Sequence, residues 1–528
     1  MNMSCTEGGR STRTSNYLKG LGTGYVATIA TIVVGLWLTP FTLRFLDRQE
    51  FAIFALASDL LMWLGLLDIG ITAGLNVQAA QLSGRPDQDR LNRLASTAFY
   101  TQNLIVLVIL LVGGAMAVGF PHFFPVRPEL HRTTSILMGI LVISSAIGFS
   151  TRTFSALLVA NQQVHLDNLI RLLLLVIRTA LTVIFLLRGW GLYSLAIASL
   201  AATVITSALA VLRTCHLLSG LKIRRELASW EILKSIGGLG IWFSLGSVAG
   251  IVITSFDRII AGKIISVDSV TTLTLTGRVY LLGATLLDQV ANTARPMLGQ
   301  LLGQGKKSDA ERVYRHIFAV STGLSVVAAF SIWAGNESFV TRWVGVQNFG
   351  GSMLSLAFGL SLIVNSWVLP NRAVLSSALI VRPQTLSRLV EAALHLTVSL
   401  VLGHYLGLVG IVLGTCIAAC LTSTWYLPLS TARLFGRRWL TFIRQDALPI
   451  FTVAAVLAPV AYGGNLLSRH FGGYLGASIG GSLTAIAGAL LLWFIACDAA
   501  LRRQIAEKLG GLTSGALRAF NCNIIWTS

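Results

Sequence analysis

The sequence predicts an all-α polytopic membrane protein with about 14 transmembrane helices, built as two parallel six-helix repeats around a central cavity plus two C-terminal helices. Composition is the first reason. Of the 528 residues, 54% are hydrophobic and only 12% are charged, and the mean hydropathy is +0.74. Soluble domains carry about twice that share of charged residues. The apolar residues also fall into runs of about 20 or more, the length that crosses a bilayer.

An internal duplication is the second reason. A Leu-Leu-Asp motif ends at Asp68 and occurs again ending at Asp288, and a segment that follows Arg152 has a counterpart after Arg372. Both pairs are separated by about 220 residues and keep the same order along the chain. We therefore infer two homologous halves.

The apolar runs place six helices in each half and two after them. In the first half the expected helices span 20–45, 51–80, 94–120, 133–160, 169–187 and 192–212. In the second half they span 236–262, 269–300, 313–335, 350–381, 386–403 and 408–432. The two unmatched helices span 447–466 and 473–497. Because six is an even number, both halves enter the membrane from the same side and form parallel repeats.

This pattern divides the chain into five parts. They are a cytoplasmic tail at 1–19, an N-lobe at 20–225, a C-lobe at 226–445, two further helices at 446–500 and a cytoplasmic tail at 501–528.

The basic residues predict the orientation. Most of the 40 Lys and Arg residues fall in segments that this topology places in the cytoplasm, so both termini are expected there. The richest of these segments are 213–234 and 433–444. A net charge of +19 would indicate nucleic-acid binding if the cations clustered on a soluble face. They lie instead in short loops, where membrane lipids with anionic headgroups are the expected partners and nucleic acid is not.

Motifs for nucleotide, metal or cofactor chemistry are missing from the sequence. The stretch before Ser308 approaches a nucleotide-binding loop, but Gln300 occupies the position of its first glycine and Lys307 that of its hydroxyl residue. The spacing of the six cysteines fits neither zinc nor haem, so no metal and no cofactor are expected. The protein is expected not to be an enzyme. A membrane transferase with acids hidden in a cavity stays open, and metal dependence would test it.

Arginines within the predicted spans are the candidate substrate contacts. An arginine at the bilayer centre costs about 2.5 to 3.5 kcal/mol on an insertion scale, so its presence indicates a function. The arginines chosen are Arg152, Arg178, Arg278 and Arg372. A guanidinium binds phosphate with two parallel hydrogen bonds, which indicates a cavity for a phosphate-bearing lipid.

Internal ion pairing is the alternative explanation for charges in the spans. Asp59 lies near the repeat equivalent of Arg278, so we expect these two to face each other. Two other sets of neighbours could pair or carry a coupling ion, and both interpretations stay open. They comprise Asp257 with Arg258, and Glu391 with His395 one turn later.

Four residues are expected to act as hinges or structural breaks. Asp68 and Asp288 each end an apolar run at equivalent places of the repeat, which favours a helix-break cap over proton transport. Pro40 and Pro296 are expected to mark kinks about which the lobes bend.

The first part of the chain resembles a known family. The residues that carry the resemblance are Thr39-Pro40-Phe41, Phe45-Leu46, Glu50-Phe51, the stretch 66–70 and Ala79-Ala80. They are similar to the lipid-linked oligosaccharide (O-antigen and exopolysaccharide) flippases of the multidrug/oligosaccharidyl-lipid/polysaccharide exporter (MOP) superfamily. The glycine that this family usually carries between its first two helices is missing from 47–52.

The resemblance implies two six-helix lobes around a cationic cavity in the bacterial inner membrane. It also implies that an undecaprenyl-diphosphate-linked oligosaccharide crosses from the cytoplasmic to the periplasmic leaflet by alternating access. A polysaccharide polymerase or chain-length machinery is an implied partner. The alternatives are a lipid II flippase and a cation-coupled multidrug exporter of the same superfamily, which would place acids and aromatic residues in the cavity.

Overall fold

The computed structural model describes residues 7–68, 70–82, 87–161 and 163–496. Within those ranges every regular element is helical and no residue lies in a β-strand, which confirms the predicted all-α class. The first eight helices are α1 (Glu7–Thr42), α2 (Arg48–Leu64), α3 (Ile71–Leu82), α4 (Gln88–Phe123), α5 (His131–Ser150), α6 (Arg152–Ala160), α7 (Val164–Leu187) and α8 (Tyr193–Leu217). The next ten are α9 (Trp230–Ile260), α10 (Val267–Thr276), α11 (Arg278–Gly303), α12 (Lys307–Val344), α13 (Ser352–Ser377), α14 (Val381–Leu421), α15 (Ser423–Leu434), α16 (Trp439–Phe442), α17 (Leu448–Phe471) and α18 (Gly473–Leu491).

Eleven helical segments of the described chain are long and apolar enough to cross a membrane, or twelve if the bent pair α10 and α11 is one span. One of the eleven, Val381–Leu434, has 54 residues, about 81 Å of helix, which is more than two bilayer cores. The backbone of Gly407 inside it is not helical, with φ 60° and ψ −140°. Counting this segment as two crossings and adding the 31-residue α9 gives the predicted number of about 14.

Two of the helices predicted for the first half are broken, the first of them next to the expected cap at Asp68. The predicted helix at 51–80 ends at Leu64, passes through a 3₁₀ turn at Gly65–Asp68 and resumes at Ile71. Gly70, with φ +75°, allows this break because glycine has no Cβ that clashes in the left-handed region. The predicted helix at 133–160 breaks at Thr151. The Oγ1 of Thr151 donates to the carbonyl of Ile147, a bond that bends helices.

The corresponding bend in the second half lies elsewhere. The predicted helix at 269–300 is bent by 53° between α10 and α11, around Gly277. Beyond that bend, α11 continues to Gly303 without a break at Asp288, so the expected helix-break cap at Asp288 is wrong. The position that corresponds to Gly70 carries Val290, a β-branched residue that disfavours the left-handed region.

The chain divides into two compact units. Unit 1 comprises Met1–Thr274 and Arg388–Gly414, and unit 2 comprises Leu275–Ser387 and Thr415–Ser528. Residues 501–528 of the predicted C-terminal tail lie outside the described residues, and the predicted boundaries of the two lobes stay predictions.

A small apolar core fixes the helices that follow the breaks in unit 1. Buried side chains of α3, α4 and α6 pack together there, among them Leu75, Leu94 and Leu157.

Apolar side chains that face outward have a different role. On α1, Val26, Ile29 and Val33 are all more than half exposed at helical spacing, which is the surface that a lipid environment would cover.

A buried cluster in unit 2 is rich in aromatic side chains. Phe318, Trp367 and Phe442 meet edge to face, and Tyr314 lies tilted against Phe318. All four belong to one buried cluster that also contains side chains of α17. Because buried aromatic side chains contribute large apolar contact areas, this cluster is expected to stabilise unit 2.

Candidate functional site

A polar cavity of about 820 Å³ lies inside unit 1. It is lined by residues of α2, α3, α5, α6, α7 and α8 and of the 3₁₀ turn that follows α2. Its charged lining residues are Asp68, Arg152, Asp167, Arg171 and Arg178. Ionisable groups are rare inside apolar helix bundles because their desolvation is costly, so five in one cavity mark it as the candidate site.

Arg152 enters the cavity at the second helix break. It is the first residue of α6, and its guanidinium carbon lies 4.4 Å from the ring centroid of Phe149. Its Nη2 atom lies 3.6 Å from the point that a Cβ at Gly65 would occupy, at the first break. Asp68 attracts it electrostatically. The two breaks thus bring together one cation and one carboxylate that are far apart in sequence.

Asp68 holds the start of α3 in place. Its carboxylate accepts hydrogen bonds from the backbone N–H of Thr72 at 3.2 Å and from the Thr72 hydroxyl at 2.7 Å. These bonds satisfy donors that the first turn of a helix leaves unpaired. Asp68 therefore occupies the predicted position at a helix break, and its role as a hinge stays a prediction.

A buried glutamine links the two breaks. Gln102 of α4 is fully buried; its Nε2 donates to Thr72 at 3.1 Å, and its Oε1 accepts from Thr153 of α6 at 2.5 Å. Nε2 also lies 3.5 Å from Asp68 Oδ1. Thr153 directly follows Arg152, so this amide connects the supports of Asp68 and Arg152. Gln102 was not among the predicted site residues, although it is the only Gln within the apolar run at 94–120, and that is the signal that indicates it.

The remaining charges of the cavity come from α7. Arg171 Nε lies 2.9 Å from Asp167 Oδ2, and the Asp167 side chain is 7% exposed. Arg178 is two turns further along the same face, as its spacing from Arg171 predicts. Arg178 forms no ion pair within the described part of the chain. The three arginines and two aspartates leave one net positive charge in the cavity.

Hydroxyl groups line another part of the cavity, beside apolar residues such as Phe54 and Leu141. Ser144 donates to Thr203 at 3.1 Å, and Thr151 donates to Ser207 at 3.0 Å. On α8 the small polar residues recur three, four or one position apart: Ser199, Thr203, Thr206 and Ser207. The sequence analysis missed them, although this spacing puts them on one face of an otherwise apolar helix. Hydroxyls both donate and accept, which suits a ligand rich in hydroxyl groups.

The predicted pairing of Asp59 needs correction. Asp59 is buried, and its Oδ1 lies 2.5 Å from Arg258 Nη2 of α9, whereas the sequence suggested Arg278 as its partner. The prediction relied on equivalent positions in the two halves of the sequence. In the structure the partner comes instead from α9, which packs against α2 within unit 1.

His395, four residues after Glu391 on α14, also lies near Asp257 and Ser399. It is fully buried, its Nε2 lies 3.5 Å from Asp257 Oδ1, and its Nδ1 lies 3.2 Å from the hydroxyl of Ser399. Glu391, the expected neighbour, is on the same helix and 5% exposed. Whether this group pairs internally or carries a coupling ion stays a prediction.

The other predicted residues belong to α1 or to unit 2. Arg278 is the first residue of α11, and Arg372 lies in α13 with 9% exposure. Asp288 and Arg372 both act electrostatically on Arg295, which the sequence analysis missed. Pro40 lies two residues before the end of α1, and α11 passes through position 296 as a helix. The side chain of Pro296 is outside the described residues.

Metal ligands are not clustered in the described ranges: no group of three or more His, Cys, Asp or Glu side chains there could hold an ion. The charged and hydroxyl-bearing side chains of the cavity offer ion pairing and hydrogen bonding. It can bind an anion at its guanidinium groups and hydroxyl-bearing groups beside them.

Part of the sequence matches a known protein family, and the fold matches several solved structures. Residues 42–301 match a family model described as "Polysaccharide biosynthesis protein". No curated protein sequence matches the chain. The lipid II flippase MurJ in an inward closed conformation matches with a TM-score of 0.65 at 13% identity, over 89% of this chain and 97% of that one.

Two other structures are multidrug resistance MATE family transporters of the MOP superfamily. The inward-facing one has a TM-score of 0.64 at 17% identity, over 79% of this chain and 98% of that chain. The outward-facing one has a TM-score of 0.57 at 19% identity, over 78% of this chain and 94% of that chain. All these neighbours are transporters or flippases. The predicted resemblance is confirmed: the chain is a multi-pass membrane protein with the fold of the MOP superfamily, and residues 42–301 match a family of polysaccharide biosynthesis proteins.

Proposed function

We propose that this protein flips a polyprenyl-diphosphate-linked oligosaccharide across the bacterial inner membrane by alternating access. The cavity of unit 1 supports this proposal most directly. It combines Arg152 and Arg178 with a face of hydroxyl groups in a bundle that is otherwise apolar. Guanidinium groups suit the diphosphate, hydroxyls suit the sugars, and the prenyl tail can stay in lipid.

In this proposal Arg152 and Arg178 bind the diphosphate. Arg171 is less available because it pairs with Asp167, whereas Arg178 forms no ion pair within the described residues. Arg278 and Arg372 remain candidate contacts from the sequence. Both termini are cytoplasmic in the proposed orientation, so the substrate moves from the cytoplasmic leaflet outward. Export of an anion from a negative cell interior is downhill by about 2.3 kcal/mol per charge per 100 mV, if the movement transfers charge.

A lipid II flippase is the second candidate, because MurJ matches the larger share of this chain. That activity would use the same cationic cavity, since its substrate also bears phosphate groups. A multidrug exporter for cationic drugs is less well supported. The cavity has three arginines against two acids, Asp68 and Asp167, so its net positive charge disfavours a cation.

Flipping assays in proteoliposomes test the proposal. Fluorescent polyprenyl-diphosphate oligosaccharide and lipid II are supplied separately, and ethidium efflux is measured in parallel. We expect Arg152→Ala/Arg178→Ala to lower oligosaccharide flipping at least tenfold. Arg213→Ala, which removes an exposed arginine of α8 outside the cavity lining, should flip at the wild-type rate. Normal flipping by the double variant would overturn the role of the cavity, and transport of lipid II alone would favour the second candidate.

A further inference from the structure

A second concavity lies at the end of unit 1 where α2, α5 and α8 begin. Its volume is about 490 Å³, and it is lined by Glu50, Thr133, Trp190 and Tyr193 together with small and apolar residues. The same three helices also line the arginine-containing cavity, further along each of them. On α8, for example, Tyr193 lines this concavity and Thr203 lines the cavity, about 15 Å along the helix axis. The two spaces therefore follow each other along unit 1.

Trp190 is presented rigidly at this concavity. Its indole is stacked on Phe185 with ring centroids 4.6 Å apart and an angle of 4° between the planes, yet the residue remains 43% exposed. The glycines on either side, Gly189 and Gly191, have φ of +78° and +52°, which other residues rarely adopt. This Gly-Trp-Gly turn holds one face of the ring against Phe185, and its exposed surface is at the concavity.

Glu50 supplies a carboxylate whose position is also fixed. Its Oε2 accepts the backbone N–H of Asp47 at 2.9 Å in the capping box that begins α2. Arg127 connects this segment to the loop before α5 by hydrogen bonds to Asp47 and Gln49, and the bond to Asp47 raises the pKa of Arg127. Arg127 thus links the start of α2 to the segment before α5.

We propose that this concavity binds a sugar ring of the transported glycan. Sugars combine a flat face of C–H bonds with a rim of hydroxyl groups. The exposed indole of Trp190 fits the face, and the Glu50 carboxylate with the hydroxyls of Thr133 and Tyr193 fits the rim. The hydroxyls of Thr133 and Tyr193 make no hydrogen bond within the described residues, so they are available. A carboxylate repels phosphate and uronic acids, so the preferred rings are neutral or amino sugars.

This inference depends on the proposed function only for its physiological ligand. With a diphosphate at the arginines, an attached oligosaccharide would extend along α2, α5 and α8 towards Trp190. In the proposed orientation this is the outer side of the membrane, so the concavity would hold the glycan as it leaves.

Binding of free oligosaccharides to the full chain in nanodiscs tests the inference by saturation-transfer difference NMR. The probes are tetramers of N-acetylglucosamine, glucose and galacturonic acid, with tetraphenylphosphonium as an organic cation. We expect at least one neutral tetramer to bind at least tenfold more tightly than the galacturonic acid tetramer. Trp190→Ala should weaken that binding at least tenfold. Trp230→Ala, which removes a tryptophan that is 67% exposed elsewhere in unit 1, should leave it unchanged.

Glu50→Gln provides a variant that keeps the fold, because a glutamine can also close the capping box. It should weaken binding of the neutral tetramer at least threefold and reduce the discrimination against galacturonic acid. The inference is overturned if no neutral tetramer binds the folded wild type, or if both variants bind normally. It is also overturned if only tetraphenylphosphonium binds and depends on Trp190. Sugar binding without flipping would preserve this inference and reject the proposed transport, so the two failures are distinguishable.

Discussion

The two halves of the chain carry the same landmark residues but use them differently. In the first half, Asp68 and Arg152 lie at helix breaks and line a polar cavity. In the second half, Asp288 and Arg372 lie inside continuous helices. The difference shows that a repeated residue does not imply a repeated geometry, because its neighbours decide whether the helix can break.

The residues beside each aspartate and each arginine explain why the helices break in one half and not in the other. Gly70 permits a left-handed backbone after Asp68, and Val290 at the equivalent position does not favour it. Before Arg152 stands Thr151, a break residue, and before Arg372 stands Asn371. Asn371 is fully buried, donates to Trp367 one turn earlier at 2.9 Å and accepts from Tyr314 at 2.8 Å. Its amide is satisfied without any break in α13.

The largest effect is expected from replacing Arg152 or Arg372 with alanine, and the two variants should differ in flipping and in melting temperature. Arg152→Ala should lower flipping at least tenfold with an unchanged melting temperature, since the side chain lines an open cavity. Arg372 is 9% exposed in α13, so Arg372→Ala should lower the melting temperature by several degrees through lost packing as well as lost charge. Flipping and tryptophan-monitored melting in detergent are measured on the same preparations. Equal melting temperatures for both variants would contradict the contrast between the halves.

A smaller effect is expected from the amide that supports the breaks in the first half. Gln102→Leu removes the partner of Thr72 and Thr153, and buried groups left without hydrogen bonds cost about 1 to 3 kcal/mol. The melting temperature should fall, and flipping should fall further because both supports of the arginine site are disturbed.

Gln88→Leu on the same helix provides the matched control. Gln88 is exposed and donates only to Asn92 within the described residues, so its loss should change stability by less than about 0.5 kcal/mol. If Gln102→Leu were as stable and as active as Gln88→Leu, the amide would not connect the two breaks.

Much of the fold could be predicted from the sequence because it depends on local composition. Apolar runs of about 20 residues separated by basic loops are enough to indicate the helices and their approximate number. Arg152 and Arg178 were also identifiable, since a charge in an apolar run is conspicuous. The duplication was visible because both halves kept the order of their landmarks.

The rest of the site depends on contacts between distant segments. The partner of Asp59 is Arg258, about 200 positions later, and no pattern in either helix specifies that pairing. Gln102 acquires its role only when α3, α4 and α6 pack together, and Thr203 and Ser207 of α8 acquire theirs only when α8 meets the C-terminal half of α5. The break at Thr151 was not predicted, because a threonine hydroxyl that bonds to the preceding turn often bends a helix without interrupting it.

The smallest effect is expected from substitutions at Gly70 and at its counterpart Val290, the positions that determine whether the helix breaks. Gly70→Ala places a Cβ at φ +75°, where an L-residue costs about 1 to 2 kcal/mol. Val290→Gly should cost about 1 kcal/mol because glycine weakens a helix interior. Both variants should therefore melt at lower temperature by similar amounts, but only Gly70→Ala should slow flipping, since only the first position shapes the cavity. Equal slowing by both variants would mean that backbone freedom at Val290 matters as much as at Gly70, and the contrast between a broken and a continuous half would then not explain where the site lies.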